Sequence, residues 1–153
     1  MKCGPLMCWD IYMEGYRRRM QSAQTFSELT LFAEKHHWRT QWDLQDLLLR
    51  KNSVVLVTDV DQVIRYASPN MRAMNGYQPA EVVGKQPKMF QGPATCPVTR
   101  NQIREAIVQR IPFKGELINY RKNGTTYNCL VEEYPVWDHN GSLVHFIAFE
   151  KIA

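Results

Sequence analysis

The chain has 153 residues, 44% of them hydrophobic and 22% charged, with eight each of Gly and Pro; that is one ordinary domain plus a modest extension, and too little for two full cores. The formal net charge of +4 is spread thinly, with seven Lys/Arg against six Asp/Glu in residues 1–50 and twelve against nine in residues 51–153. The dense cluster Arg17-Arg18-Arg19 is a thin version of a nucleic-acid stripe and reads as a solvated helix face, so nucleic acid is disfavoured as a partner. The longest fully aliphatic run, Val54-Val55-Leu56-Val57, is far too short to span a bilayer. Met1-Lys2-Cys3-Gly4-Pro5 lacks the apolar stretch of a signal peptide. Four widely and irregularly spaced Cys indicate reduced thiols and a cytoplasmic setting rather than a disulfide framework.

Two regimes follow one another, with the seam near Lys51-Asn52-Ser53. Upstream, Thr25 and Glu28 form a capping box that predicts a helix start, and Phe26, Leu29, Phe32 and Ala33 recur at helical spacing. Thr40 with Asp43 predicts a second start, followed by Leu44, Leu47 and Leu48. A helix–turn–helix reading is disfavoured, because the connection around His37-Trp38-Arg39 has no Gly. Downstream, Val54–Thr58 and Val63–Ala67 read as strands joined by the turn Asp59-Val60-Asp61-Gln62. Ser68-Pro69 predicts an N-cap and first helical residue, with Asn75-Gly76 as the stop. A short helical piece covers Pro79–Val83 and ends at Gly84. Cys96-Pro97 opens a longer helix with Ile103, Ala106 and Ile107 as its buried stripe. Strands at Glu116–Lys122 and Thr126–Trp137 flank Asn123-Gly124, and Asp138-His139-Asn140-Gly141 turns the chain into a last strand, Val144–Lys151. The order implies an α+β domain: a five-stranded antiparallel sheet with short helices on one face.

Strand alternation sorts the side chains. Asn119, Cys129 and Glu150 share a face with Leu117, Val131, Phe146 and Ala148, and that face would line a cavity beneath the helices. Glu150 there either reads a ligand or lies at the strand end in water. Ile118, Tyr120, Leu130, Tyr134, Ile147 and Phe149 point the other way. An apolar patch of that size needs cover, and the two N-terminal helices are expected to supply it, within one chain or by exchange in a homodimer.

The segments Val55-Leu56-Val57-Thr58-Asp59, Ser68-Pro69-Asn70 leading to Asn75-Gly76-Tyr77, Glu81-Val82-Val83-Gly84-Lys85 and Asn119-Tyr120-Arg121-Lys122-Asn123-Gly124, with the closing Pro135-Val136 and Phe146–Glu150, resemble a PAS domain over about residues 53 to 152. Within that superfamily the sequence is similar to the light-oxygen-voltage (LOV) branch, which binds flavin mononucleotide (FMN) and carries G-x-N-C-R-F-L-Q-G. Here the stretch is Gly84-Lys85-Gln86-Pro87-Lys88-Met89-Phe90-Gln91-Gly92. The branch's reactive cysteine falls on Pro87, which excludes the usual thiol–flavin adduct. The resemblance implies a pocket built from Lys88 in place of the motif's arginine, Gln91, Arg104 on the long helix, Asn119, Cys129 in place of a second asparagine, and Glu150 in place of a glutamine.

Other chemistry has little support. None of His36, His37, His139 and His145 lies on the long helix 97–110, where haem-binding PAS domains place their ligand, so haem is disfavoured. His36-His37 reads as a solvated helix end, and Cys3 with Cys8 does not make a zinc half-site. No catalytic residue and no metal ligand stands out, and the protein is not read as an enzyme. The reading is a stand-alone sensory module, with residues 1–52 as a helical extension that is not independently stable and 53–153 as a PAS domain. It would bind a small ligand or partner protein and signal through helix packing or homodimerisation to an output partner in trans. A non-photochemical FMN redox sensor is the first alternative and a ligand-free structural dimerisation module the second.

Overall fold

The computed structural model describes residues 5–39 and 43–153, giving backbone alone for 5–9 and 49–51. In chain order they form α1 (Pro5–Lys35), α2 (Leu44–Lys51), β1 (Val54–Asp59), β2 (Ile64–Ala67), α3 (Met71–Asn75), α4 (Pro79–Val82), a single 3₁₀ turn at Pro87–Phe90, α5 (Pro97–Gln109), β3 (Phe113–Tyr120), β4 (Thr126–Trp137) and β5 (Leu143–Ile152). The strands make one five-stranded sheet in the order β2-β1-β5-β4-β3. Every neighbouring pair is antiparallel. The expected α+β class and sheet therefore hold. Among the described residues no helix is long and apolar enough to cross a membrane.

Turn chemistry sets the connections where the sequence places them. Gly124 takes a left-handed φ of 85° between β3 and β4, a conformation that costs a residue with a Cβ. Gly76, with φ 84°, ends α3 while its N–H donates to Arg72 O. The start of α3 differs from the expectation. Its N-cap is Asn70, and the Ser68 hydroxyl instead accepts the Val55 N–H at 2.8 Å, tying the turn back onto β1. Gly92 is required by close approach: a Cβ there would sit 2.6 Å from the Tyr120 ring.

The sheet is buried on both faces. On the inner face Leu56, Leu117, Cys129 and Val131 join Ile64, Met71 and Phe90 in one core. On the outer face Val55, Val57, Val136, Ile147 and Phe149 meet Leu29 and Trp38 from α1 and its C-terminal extension, and Leu44 and Leu48 from α2. The extension thus covers the sheet within one chain. Coverage is narrower than expected, because Ile118, Tyr120 and Leu130 lie outside this cluster. Tyr120 stands on the edge strand β3 and serves the loop before α5, its hydroxyl accepting the Ala94 N–H at 2.9 Å.

The N-terminal helices also depart from their predicted starts. Helix α1 begins at Pro5 and runs straight through Thr25, so Thr25-x-x-Glu28 is no capping box. Those residues face β2, where the Tyr66 hydroxyl donates to Glu28 Oε2 at 2.8 Å. Burial, then Glu28, push the Tyr66 hydroxyl well above its usual range. For α2 the N-cap is Asp43, whose Oδ1 accepts the N–H groups of Gln45 and Asp46; Thr40 lies outside the described residues, as do Cys3 and the Cys8 side chain.

His36 is half-buried rather than solvated, its ring 4.8 Å from that of His145. Beside it lies the latch between extension and sheet: Trp38 Nε1–H donates to His145 Nδ1 at 3.0 Å, with both residues buried. Main-chain bonds from Arg39 N to Trp137 O and from His139 N to His37 O fasten the same corner. Trp38→Phe keeps an aromatic ring but strands a buried acceptor, which costs about 1–3 kcal/mol. Urea denaturation is expected to show a loss of that size; an unchanged midpoint would mean that the corner is held by the main chain alone.

Candidate functional site

The register of β4 on β5 pairs Val131 with Glu150 and Glu133 with Ala148. Side chains opposite one another share a face, so Glu133 and Glu150 stand as diagonal neighbours on the inner face. Both are more than nine-tenths buried, at 9% and 6% exposure. They line a cavity of about 70 Å³ whose walls also include Leu56, Phe90, Leu117 and Phe146. No Lys or Arg lines that cavity. Burial raises both carboxyls to about 7, and the Glu150 charge adds to the rise at Glu133. The cavity wall carries further polar atoms without partners among the described residues: Asn119 Oδ1, Thr58 Oγ1 and Gln62 Nε2.

The six residues expected to form a pocket separate into three places. Gln91, Asn119 and Glu150 line the inner cavity. Lys88 and Arg104 lie outside it, in an adjoining open groove of about 580 Å³ that they share with Arg100, Asn101 and Gln91. Gln62, Pro87, Gln91 and Ile103 line both spaces and stand between them. Cys129 is fully buried behind the cavity wall, and its thiol approaches Glu150 Oε2 at 3.7 Å. Burial and then Glu150 push that thiol far above its ordinary range, so it is a packing thiol and a weak donor, not a nucleophile. Glu150 is not at a wet strand end. Glu133, Thr58 and Gln62 were missed, although the alternation that places Cys129 and Val131 inward also places Glu133 there.

A 2-1-5-4-3 antiparallel sheet, with short helices closing a cavity on one face, defines the ligand-cavity sensor architecture of PAS proteins. The PAS domain family model matches residues 51–151, and the chain belongs to that family. It is 36% identical over 115 residues to Phototropin-2 of Oryza sativa subsp. japonica, covering 73% of this chain and 13% of the rice protein. The dark structure of the blue-light photoreceptor Aureochrome1 LOV superposes with a TM-score of 0.68 at 26% identity, covering 74% of this chain and 85% of that one. The light-state dimer of the fungal blue-light photoreceptor Vivid gives a TM-score of 0.61 at 26% identity over 65% of this chain and 76% of that one. The protein is thus a PAS/LOV sensory signalling module related to blue-light photoreceptors, and it spans only a tenth to a fifth of the curated relatives it matches.

Flavin is the ligand a LOV likeness implies, and the residues present do not fit it. Pro87 occupies the thiol position. An engineered cavity of about 150 Å³ takes one benzene ring, whereas the inner cavity here is about 70 Å³ and a flavin carries three fused rings. Its polar wall brings two carboxyls, which repel ring carbonyl oxygens when ionised. Among the described residues there is also no cluster of three ligating side chains for a metal.

The buried acids make a signed pH prediction. Their folded pKa near 7 lies above the ordinary carboxyl value of 4.5, so the stability they contribute is complete below about 4.5 and is lost as pH rises to 7. His145 works in the opposite sense. Burial, then the His36 charge, lower it to about 4 from 6.5, so its contribution is lost as pH falls from 6.5 towards 4. Between 4.5 and 6.5 the native state holds two extra protons on the acids and lacks one on His145. The acids therefore pull stability down as pH rises, while His145 and His36, whose pKa burial also lowers, pull it up; each proton of difference changes the slope by about 1.4 kcal/mol per pH unit. Glu150→Gln removes one acid from this balance and is expected to shift the slope upward in urea melts at pH 5 and 6.5. An unchanged slope would contradict the assignment.

Proposed function

We propose that this is a cytoplasmic sensory module in which the state of the inner cavity biases how the N-terminal helices sit on the outer face. Residues 53–153 form the sensing body, and residues 1–52 form an output extension that depends on it for stability. The observation that carries the reading is the alternation along β5. Phe146, Ala148 and Glu150 line the inner cavity, while His145, Ile147 and Phe149 touch the helical extension or its latch. A strand that shifts to accommodate a ligand on one face moves contacts on the other, because a close-packed interior transmits displacement. No catalytic role is assigned to any residue.

The expected readout is hydrogen exchange in the extension. Glu150→Ala empties part of the cavity wall without touching α1 or α2, and it is expected to lower amide protection across residues 26–38 by at least about fivefold. Unchanged protection there, with increased exchange confined to β4 and β5, would refute the coupling.

Output in trans through a homodimer is the second element of the proposal. From Asp10 to Gln24 only Met13 and Ser22 are even half-buried. Tyr12, Tyr16 and Met20, spaced four apart on one helical face, are 64%, 51% and 54% exposed. A second copy of the chain suits this stripe, and the fungal relative Vivid is described as a light-state dimer. Light scattering is expected to give a dimer for the native chain and a monomer for a Tyr16→Glu/Met20→Glu variant of unchanged thermal stability. A monomeric native chain at high concentration would refute it.

A further inference from the structure

We infer that the inner cavity takes a small planar organic cation of the amidine or guanidine class, held between Glu133 and Glu150; this rests on reading the cavity as a ligand site. Two independent observations converge. The first is the pair of carboxyls, diagonal neighbours on β4 and β5, facing a cavity that no Lys or Arg lines. A buried carboxylate without a cation is costly, and nothing on the cavity wall neutralises these. The second is the set of unpartnered polar atoms. Asn119 and Thr58 both line the cavity and are each 4% exposed, and Asn119 Oδ1 and Thr58 Oγ1 have no hydrogen-bond partner among the described residues.

The polar wall is therefore rich in acceptors, and an acceptor-rich wall selects a donor-rich ligand. An amidinium or guanidinium presents N–H groups around the rim of a flat ion. One edge matches a carboxylate with two parallel N–H···O bonds, and the remaining N–H groups suit the second carboxylate, Asn119 Oδ1 and Thr58 Oγ1. Gln62 Nε2, an unpartnered donor, suits a carboxylate oxygen that the cation leaves over. Phe90, Ile103 and Leu117 supply the apolar walls that favour the flat faces of such a delocalised ion over a strongly hydrated ammonium. The volume of about 70 Å³ admits an ion of a few heavy atoms and rejects large ring systems. The cationic side chains Lys88, Arg100 and Arg104 stand in the outer groove instead, so they do not line the cavity to neutralise the carboxyls once these ionise.

Acetamidinium, acetamide and acetate have nearly the same shape and carry positive, zero and negative charge, which makes them direct probes. The experiment is an amide-resolved NMR titration of the full chain at pH 8, where the carboxyls are ionised. Acetamidinium is expected to shift the amides of residues 131–133 and 148–150 saturably. Acetamide should bind at least about tenfold more weakly, and acetate should leave those amides unmoved. Glu133→Gln and Glu150→Gln should each weaken acetamidinium by about tenfold. Should either fail to fold, Thr58→Val, which keeps volume and loses one acceptor, is expected to weaken acetamidinium severalfold and leave acetamide nearly unchanged. Acetate or acetamide binding as tightly as acetamidinium would overturn the cation assignment and leave the sensory reading standing. If none of the three probes perturbed the cavity amides, the cation assignment and the ligand-site reading would both fall.

Discussion

From His145 to Glu150 strand β5 has no solvated face, and the rest of the molecule is arranged around that constraint. It sits third in the sheet, paired to β1 on one side and β4 on the other, so its backbone is fully engaged. Its side chains alternate between the helix-covered outer layer and the inner cavity. A central strand buried on both faces can move only if something on each face moves with it. The coupling proposed between the cavity and the N-terminal helices runs through this strand.

Both faces also bury titratable groups in their neutral forms. On the outer face His145 is kept neutral by burial and accepts the Trp38 N–H. On the inner face Glu133 and Glu150 hold their protons to about pH 7. Near neutrality the acids are close to their midpoint, so modest changes in the cavity convert them between neutral donors and charged acceptors. The two acids titrate as a coupled pair, and a cation between them would favour the fully ionised state. The Pro87 substitution and this acid pair thus mark a departure from light-driven thiol chemistry within a retained LOV-like frame.

Much of this was legible in the sequence because turns and alternation are local. Asn123-Gly124 set the β3–β4 hairpin, and period-two counting put Asn119, Cys129 and Glu150 on one face without any knowledge of the fold. The same counting reaches Glu133, which matches no position of the LOV motif and so is not indicated by the resemblance. Lys88 and Arg104 fall in the groove rather than the cavity, and sequence cannot show the boundary that Gln62, Pro87, Gln91 and Ile103 make between the two. The start of α1 was misplaced for a physical reason: residues 10–24 are almost entirely exposed, so the stripe of Tyr12, Tyr16 and Met20 joins no core that would announce the helix, and the capping pattern at Thr25 and Glu28 is used to hold Tyr66.

The proposed sensing requires energetic coupling between the cavity and the helical latch through β5. A double-mutant cycle on stability between Glu150→Gln and Trp38→Phe measures it directly, since the two side chains lie on opposite faces and do not share a partner. Coupling through β5 gives an interaction energy clearly above the roughly 0.3–0.5 kcal/mol within which independent sites add. Additivity within that margin would show that the two faces of β5 act separately and would contradict the central claim.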